Sequence, residues 1–248
     1  MVDTHCHLFL SDYPDIDDVI KKMEDNIMIV SGVDDATNKE VLELCSKYSN
    51  VYGTLGIHPE SVNDDYDLSF ISDHINDPKI IGVGEIGLDY YYTKDNKGAQ
   101  IDLFCKQIEI AIKNNKPIVV HSRDAISDTY DIIKKYNIGN KTDIHCFSSS
   151  LEMAREFVKL GCKLGIGGVL TFKNSERLKE VVANIDIGNF LLETDSPYMT
   201  PVPFRGKRNE PYNVFYVAET IANIKGIALD EVLKITSQNA FNLFDLNR

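Results

Sequence analysis

The chain contains 248 residues, of which 43% are hydrophobic and 26% charged, and its formal net charge is −12. This composition is that of an ordinary globular protein and excludes disordered and collagen-like chains. No apolar run reaches the length of about 18 residues that a membrane-spanning helix needs. The negative charge weighs against a broad basic surface for duplex DNA, because such surfaces neutralise phosphates with Lys and Arg. The five cysteines form no C-x-x-C pair, which argues against a disulfide framework and a thiolate zinc site.

Short apolar segments rich in β-branched residues alternate along the chain with segments of helical periodicity, a pattern typical of βαβ units. The predicted strands span residues 2–7, 27–33, 51–57, 80–86, 117–121, 142–146, 162–167 and 190–195. The predicted helices between them span residues 16–25, 37–48, 66–75, 98–115, 125–136, 151–160 and 175–184. Two or three further helices are expected over 212–225 and 229–244. Eight repeats favour an α/β fold of the TIM-like (β/α)8 barrel type, a single domain over residues 1–248 with extra C-terminal helices.

Most histidines and several acids lie where the predicted strands end. His5 and His7 end the first strand, and residues two apart in a strand share a face, so this H-x-H pair can chelate one ion. The ends of four other strands carry Glu85, His121, His145 and Asp195. Because the carboxyl ends of barrel strands gather around one bowl, these side chains are expected to converge. Each residue alone could be a satisfied polar group of the core; their joint position indicates a site.

Four imidazoles and two carboxylates exceed the donors of one four-coordinate site that keeps a position open for water. Two divalent ions fit this donor number better. The hypothesis places His5, His7 and Asp195 on one ion, His121 and His145 on the other, and Glu85 as the bridge between them. Glu193 shares a face with Asp195, but Asp195 lies at the strand tip and is the better candidate for a functional acid.

The same residues belong to nine short motifs that follow one another over nearly the whole chain. They are D-T-H-C-H-L (3–8), G-I-H-P (56–59), G-E-I-G-L-D (84–89), V-H-S-R-D-A (120–125), H-C-F (145–147), G-I-G-G (165–168), L-E-T-D-S-P-Y (192–198), R-G-K-R-N-E-P (205–211) and N-A-F-N-L-F (239–244). Together they resemble the TatD family of metal-dependent deoxyribonucleases, within the amidohydrolase-like barrels. The resemblance implies the same two-metal ligand set, with magnesium, manganese or zinc. It also implies hydrolysis of phosphodiester bonds in DNA, often as a 3′ to 5′ exonuclease on single strands.

A mechanism follows as a hypothesis in which Glu85 and Asp195 are the catalytic residues. Two ions about 3.5–4 Å apart can generate hydroxide at neutral pH and stabilise the attacking and leaving oxygens. Hydroxide on the metals would attack phosphorus while Asp195 accepts or relays its proton.

Four residues around the expected bowl are candidates for substrate binding, namely His58, Arg123, Arg205 and Tyr198. His58, fixed by Pro59 at the end of the third strand, is a candidate for binding phosphate or for supporting a metal ligand, rather than for binding metal itself, with packing as the alternative. Arg123 shares a strand face with His121, and Arg205 lies in a basic cluster with Lys207 and Arg208. Such a cluster is either a solvated face or a phosphate grip, which Arg can make bidentate.

Tyrosines at 90–92 and Tyr198 follow two of the ligand-bearing strands. Their rings would either stack on unpaired bases, which favours single-stranded DNA or frayed ends as the partner, or pack as part of the core or a lid. His74, predicted in a helix beside Ile71 and Ile75, is interpreted as structural or solvent-facing. The expected protein is a cytoplasmic monomer without membrane contact.

Two rival functions stay open from the residues. One is a metallo-amidohydrolase of the same barrel, a deacylase or lactonase acting on a C–N or ester bond, because fold and metals do not choose the substrate. Many such enzymes bridge their metals with a modified lysine, whereas here Glu85 takes the bridging position. The other is a non-catalytic metal-binding scaffold, against which the complete donor set argues.

Overall fold

The computed structural model describes residues 1–62, 66–91 and 95–246. Its eight parallel strands form one sheet in chain order, which confirms the predicted (β/α)8 barrel. The strands are β1 (Val2–Cys6), β2 (Ile27–Ser31), β3 (Val51–Leu55), β4 (Ile80–Asp89), β5 (Ile118–Arg123), β6 (Thr142–Ile144), β7 (Lys163–Ile166) and β8 (Phe190–Leu192). The circle closes just beyond β8, where Ser196 forms a parallel bridge with Cys6 and Thr4 Oγ1 donates a hydrogen bond to the carbonyl of Leu192 over 3.0 Å.

A helix follows each strand, and one more ends the chain. The helices are α1 (Ile16–Lys21), α2 (Asp35–Lys47), α3 (Ser69–His74), α4 (Lys97–Lys113), α5 (Ile126–Tyr136), α6 (Leu151–Lys159), α7 (Glu176–Asn184), α8 (Val214–Lys225) and α9 (Leu229–Phe244). The helix α8 follows β8 and contacts α7, so it completes the repeat, and only α9 is additional to the barrel. Across the described ranges, no helix has the length and apolar character needed to cross a membrane.

Local sequence signals set where some helices begin. Asp34 precedes α2, and its Oδ1 accepts a hydrogen bond of 2.8 Å from the backbone N–H of Thr37. Ser150 precedes α6, and its hydroxyl oxygen accepts from the backbone N–H of Met153. Both are residue types that satisfy the free N–H groups of a first helical turn. These caps fix how the chain leaves the strand ends that carry the site.

Six of the predicted strands end one to three residues earlier than expected, the sixth and eighth among them. The predictions extended the sixth and eighth strands to residues 146 and 195, but β6 and β8 stop three or fewer residues before those bounds. Cys146 and Asp195 have φ angles of +47° and +54°, a left-handed backbone that a strand does not accommodate. His145 and Asp195 therefore lie in turns just beyond their strands. In contrast, β4 continues past the predicted end at 86 as far as Asp89.

The interior of the barrel changes character along its axis. At the amino ends of the strands, the apolar residues Val2, Ile29, Ile81, Val119 and Leu191 form a buried cluster with Ala240, Phe244 and Leu246 from the end of the chain. Nearer the carboxyl ends the buried residues are polar, among them Asp3, Ser31, Thr54, Asp143 and Glu193. The α9 segment thus closes the apolar end, and polar side chains support the opposite end, where the ligand candidates lie.

A glycine in β4 controls the approach of β5. Gly87 has a φ of +141°, and a Cβ at this position would lie 2.0 Å from the carbonyl oxygen of His121. We therefore expect Gly87→Ala to lower the free energy of unfolding by roughly 1–3 kcal/mol and to displace β5, as measured by urea denaturation.

The matched control is Gly98→Ala, because a Cβ on Gly98 in α4 meets no atom within 4 Å. Alanine favours helix by up to about 1 kcal/mol over glycine, so this variant should be as stable as the parent or more stable. Equal stability of the Gly87→Ala protein and the parent would contradict the packing argument.

Candidate metal centre

The carboxylate of Glu85 lies at the centre of the converging residues. Its Oε2 is 3.4 Å from Nε2 of His5 and 3.3 Å from Nε2 of His7. Its Oε1 is 3.0 Å from Nδ1 of His121 and 3.8 Å from Nε2 of His145. One oxygen therefore faces the first pair of imidazoles and the other oxygen faces the second pair. This is the arrangement that a bridging carboxylate between two cations requires.

Asp195 lies on the open side of the same cluster. Its Oδ1 is 3.6 Å from Nε2 of His7, 3.9 Å from Nε2 of His5 and 3.8 Å from Nε2 of His145. The rings of His5 and His145 stack with centroids 3.6 Å apart. Asp195 is thus within reach of histidines from both pairs, whereas the sequence hypothesis assigned it to the first pair alone.

His58 is also part of the cluster. Its Nε2 is 3.5 Å from Oε1 of Glu85, and its ring meets that of His121 edge to face at 4.4 Å. His58, Glu85 and His121 are close enough to hold one ion together, as are His5, His7 and Glu85, and also His5, His145 and Asp195. Because Nδ1 of His58 accepts a hydrogen bond from the backbone of Glu60, its Nε2 is the nitrogen directed at the centre.

Groups behind the rings fix their orientation. The carbonyl oxygen of Ser31 is 3.0 Å from Nδ1 of His7, and Oδ2 of Asp89 is 2.9 Å from Nε2 of His121. Both oxygens can only accept, so the imidazoles donate through these nitrogens. The other nitrogen of each ring then faces Glu85. Such supporting hydrogen bonds are usual for histidines that bind metals.

The carboxylates and imidazoles of the centre are stabilised by protons or metal cations between them. A carboxylate and ring nitrogens about 3 Å apart attract one another only when a proton or a metal cation lies between them. Although burial by itself favours the neutral forms, hydrogen bonds to Asp195 and Glu85 raise the pKa of His7 to about 10. Hydrogen bonds to Asp89 and Glu85 likewise raise the pKa of His121 to about 9. Protons occupy these contacts in the absence of metal, and the donor set of imidazoles and carboxylates suits divalent zinc, manganese or magnesium.

Glu193 supports His145 from below. Its Oε2 is 3.2 Å from Nδ1 of His145, an ion-pair contact whose alignment is not that of a hydrogen bond. Its Oε1 accepts a hydrogen bond of 2.7 Å from the backbone N–H of Cys146. Despite burial, the charges of Glu193 and Glu85 raise the pKa of His145 well above its usual value. Burial and the charge of Glu193 also raise the pKa of Asp143 far above its usual value, which keeps that acid neutral.

Sequence reasoning missed Asp89 and Ser31 and gave Glu193 no role. Asp89 had a detectable signal, because it stands four residues after Glu85 in the same extended segment and residues at even spacing share a strand face. Ser31 acts on His7 through its backbone carbonyl, which no residue type reveals.

The predicted substrate-binding residues all lie around the opening. The guanidinium of Arg123 stacks on the ring of Tyr91 at 3.9 Å, and that of Arg205 stacks on the ring of Phe172 at 3.8 Å. Tyr198 is 58% exposed, and its ring lies 6.3 Å from that of His7. Their role in binding a substrate stays a prediction.

Several neighbours of these residues have structural partners instead. Arg208 makes two hydrogen bonds to the carboxylate of Asp15, over 2.7 and 2.8 Å, so its guanidinium already has an acidic partner, and a role in gripping phosphate stays a prediction. Tyr90 is buried and donates a hydrogen bond to Asp128, which supports the packing alternative. Residue 92 lies outside the described ranges. His74 pairs with Asp77 at 3.0 Å, in agreement with a structural reading.

The contact between Asp89 and His121 gives a first prediction for the centre. Asp89→Asn removes the negative charge that holds His121 with Nδ1 toward Glu85, so we expect metal affinity to fall by about 10- to 100-fold. Competition with a chelator at fixed pH measures the change. Asp131→Asn makes the same charge change at an exposed position of α5 and should bind metal like the parent. Equal affinities of the two variants would refute the supporting role of Asp89.

Protonation of the two rings gives a second prediction. In the metal-free protein His7 and His121 have pKa values of about 10 and about 9, so both are cationic at neutral pH. A divalent ion must displace these protons, and metal affinity should therefore rise with pH and level off as the pH passes about 10. Calorimetry in buffers of different ionisation enthalpy counts the protons released. Affinity that does not change with pH would contradict this electrostatic account.

Comparison with known proteins agrees with this geometry. The family described as TatD related DNase matches residues 2–245. The chain is 40% identical to the uncharacterized metal-dependent hydrolase YabD of Bacillus subtilis, and the match covers 100% of both chains. It is 38% identical to an uncharacterized metal-dependent hydrolase of Methanocaldococcus jannaschii, and that match covers 98% of this chain and 96% of the relative. The crystal structure of YjjV, a TatD homolog from Escherichia coli, superposes with a TM-score of 0.90 at 28% identity, covering 100% of this chain and 98% of that chain. The protein therefore belongs to the TatD family of metal-dependent hydrolases.

Proposed function

We propose that the protein is a deoxyribonuclease that hydrolyses phosphodiester bonds at single-stranded ends of DNA, as a 3′ to 5′ exonuclease. The observation that carries this proposal is the position of Glu85 between two groups of imidazoles. Two cations held in this way suit the two nonbridging oxygens of a phosphodiester, which share one negative charge, whereas the carbonyl oxygen of an amide is neutral. The description of the family as DNase-related supports the same substrate class.

The metal ions would be held by the sets around Glu85 and Asp195. When bound, they supply Lewis-acid charge for phosphoryl oxygens and lower the pKa of water. The remaining chemistry belongs to the chain. The hydrogen bond from His7 outweighs the effect of burial and lowers the pKa of Asp195, so this carboxylate is ionised at neutral pH. Asp195 borders the opening and can accept the proton that the attacking water loses.

His58 and the two arginines have complementary tasks in this proposal. The side chain of His58 is 12% exposed, so its ring lies between the buried centre and solvent, where a phosphoryl oxygen would enter. Arg123 and Arg205 lie farther out and would bind phosphates that flank the scissile bond. An arginine fixed by stacking on a ring can present its N–H groups to phosphate with little loss of entropy. Arg205 is therefore expected to act on substrate binding more than on the chemical step.

The rival function as a deacylase or lactonase makes a different demand on the site. Such a substrate offers one neutral carbonyl oxygen to the ions, whereas a phosphodiester offers two oxygens that share a negative charge. Within the described ranges, the ion-pair contacts of Glu85 are with histidines and not with a lysine, so we assign the bridging position to Glu85. A comparison of substrates decides between the two functions.

The proposal predicts that Glu85→Ala loses deoxyribonuclease activity by on the order of 1,000-fold or more, because the central carboxylate disappears. Digestion of end-labelled single-stranded DNA with added magnesium, manganese or zinc measures it. A block at the 3′ end should stop the parent enzyme, whereas a block at the 5′ end should not. Amide and lactone substrates tested in parallel should be hydrolysed slowly or not at all.

Glu43→Ala, an exposed position on α2, is the matched control and should keep full activity. Circular dichroism and urea denaturation must show that Glu85→Ala is folded. Full DNA cleavage by metal-replete Glu85→Ala, or faster turnover of a lactone or amide than of DNA by the parent, would overturn the proposed function.

A further inference from the structure

Charge is distributed unevenly around the opening of the barrel. The loops that follow β1, β2 and β3 span residues 7–15, 32–34 and 56–68, and none of them contains a Lys or Arg. Their described acidic residues are Asp12, Asp15, Asp34, Glu60 and Asp67. Of these, only Asp15 has an arginine partner. Three of the eight loops around the opening, which we term the acidic loops, would therefore repel a polyanion.

The loops after β7 and β8 have the opposite character. They carry exposed Lys173, Arg205 and Lys207, and within the described parts of the chain none of the three forms an ion pair with an acid. Together with the ring of Phe172, on which Arg205 stacks, they form what we term the basic surface. An unpaired guanidinium and two ammonium groups on a protein of net charge −12 are the feature expected where an anionic ligand lies.

The basic surface is held in place by contacts between its two loops. The hydroxyl of Thr171 accepts a hydrogen bond of 2.9 Å from the backbone N–H of Val202. Gly168 packs so closely on the next loop that a Cβ there would lie 2.0 Å from the carbonyl oxygen of Met199. The two loops thus form one ordered surface beside the metal centre.

Exposed apolar side chains lead from the centre toward this surface. Tyr198, Met199 and Val202 are 58%, 45% and 46% exposed, although residues of these types are usually buried. They follow Asp195 along the β8 loop, and the ring of Tyr198 lies 6.3 Å from that of His7. Apolar and aromatic faces beside cations are the combination by which proteins bind single-stranded nucleic acid, with bases on the apolar faces and phosphates on the cations.

We infer that a DNA single strand leaves the metal centre across the β7 and β8 loops, with its phosphates on the basic surface and its bases against Tyr198, Met199 and Val202. The inference rests on the proposed function and adds the path of the strand. The acidic loops keep a second strand away, since their carboxylates repel its phosphates over the screening length of about 8–10 Å. The enzyme therefore binds an unpaired end of DNA and not a duplex.

A charge-neutral triple variant, Lys173→Gln with Arg205→Gln and Lys207→Gln, tests the path in the metal-replete enzyme. The readout is the ratio of kcat/KM for a single-stranded oligonucleotide of about 12 nucleotides to kcat/KM for bis(4-nitrophenyl) phosphate, which has no flanking phosphates. We expect the ratio to fall by on the order of 10- to 100-fold. The slope of log(kcat/KM) for the oligonucleotide against log[salt] should become shallower by about 2, because each lost contact removes about 0.7.

The matched control neutralises three exposed lysines on outer helices, Lys113→Gln with Lys135→Gln and Lys234→Gln. This control variant changes the net charge by the same amount as the basic-surface variant. If the position of the charges matters and their total does not, its ratio of kcat/KM values and its salt slope should stay within about twofold of those of the parent. Metal content and urea denaturation verify that both triple variants are folded and loaded.

The outcomes distinguish failure of the proposed strand path from failure of the proposed deoxyribonuclease activity. If the parent cleaves DNA and both triple variants keep its ratio, the path is wrong and the deoxyribonuclease stands. If both lower the ratio equally, overall charge explains the effect and the path is again wrong. If the parent does not cleave DNA, the proposed function fails, and fluorescence anisotropy with a labelled oligonucleotide decides the path. Weaker binding by the basic-surface variant alone would then support it, and equal binding by the two variants would overturn it.

Discussion

The structure depends on one electrostatic constraint, the burial of the Glu85 carboxylate at the end of the barrel. Only 3% of this residue is exposed, and an isolated carboxylate in such a place would take up a proton to avoid the cost of desolvation. Burial does favour the neutral acid here, but the neighbouring charges of His58, His5 and His145 outweigh it and lower the pKa of Glu85 well below its usual value. The surrounding imidazoles thus favour the ionised carboxylate, and divalent ions are the natural replacement for the protons on His7 and His121.

Closure of the barrel and assembly of the centre use the same residues. The backbone N–H of Asp195 donates to the carbonyl of His5 over 3.0 Å, and that of His7 donates to the carbonyl of Ser196 over 2.7 Å. Below them, Asp3 accepts two hydrogen bonds from Thr194, over 2.9 and 2.6 Å. The seam between the first and last strands is therefore built from ligand candidates and their immediate neighbours. A chain that closes this seam has also brought residues about 190 positions apart, as Asp3 and Thr194 are, into one site.

The layers of the interior explain how a polar centre can be rigid. The apolar residues at the amino end, closed by α9, supply the stability of a packed core. The buried polar residues above them are joined by hydrogen bonds, such as the 2.9 Å bond that Thr54 donates to the hydroxyl of Ser31, which in turn lies 3.1 Å from Nδ1 of His5. The imidazole of His5 thus contacts a hydroxyl that is itself held by a second residue. Substrate choice is left to the loops, whose charges differ from one side of the opening to the other.

The sequence by itself determined the barrel and the group of residues at its carboxyl end, because strand and helix periods are local and a parallel barrel brings all strand ends to one rim. His5, His7, Glu85, His121, His145 and Asp195 could be found in this way. Only the tertiary structure decided what each atom faces. It turned Nδ1 of His121 inward through Asp89, placed His58 in the cluster, and paired Arg208 with Asp15, 193 positions away. It also left Lys173, Arg205 and Lys207 exposed. Such partners depend on distances across the closed barrel, which no local pattern in the chain encodes.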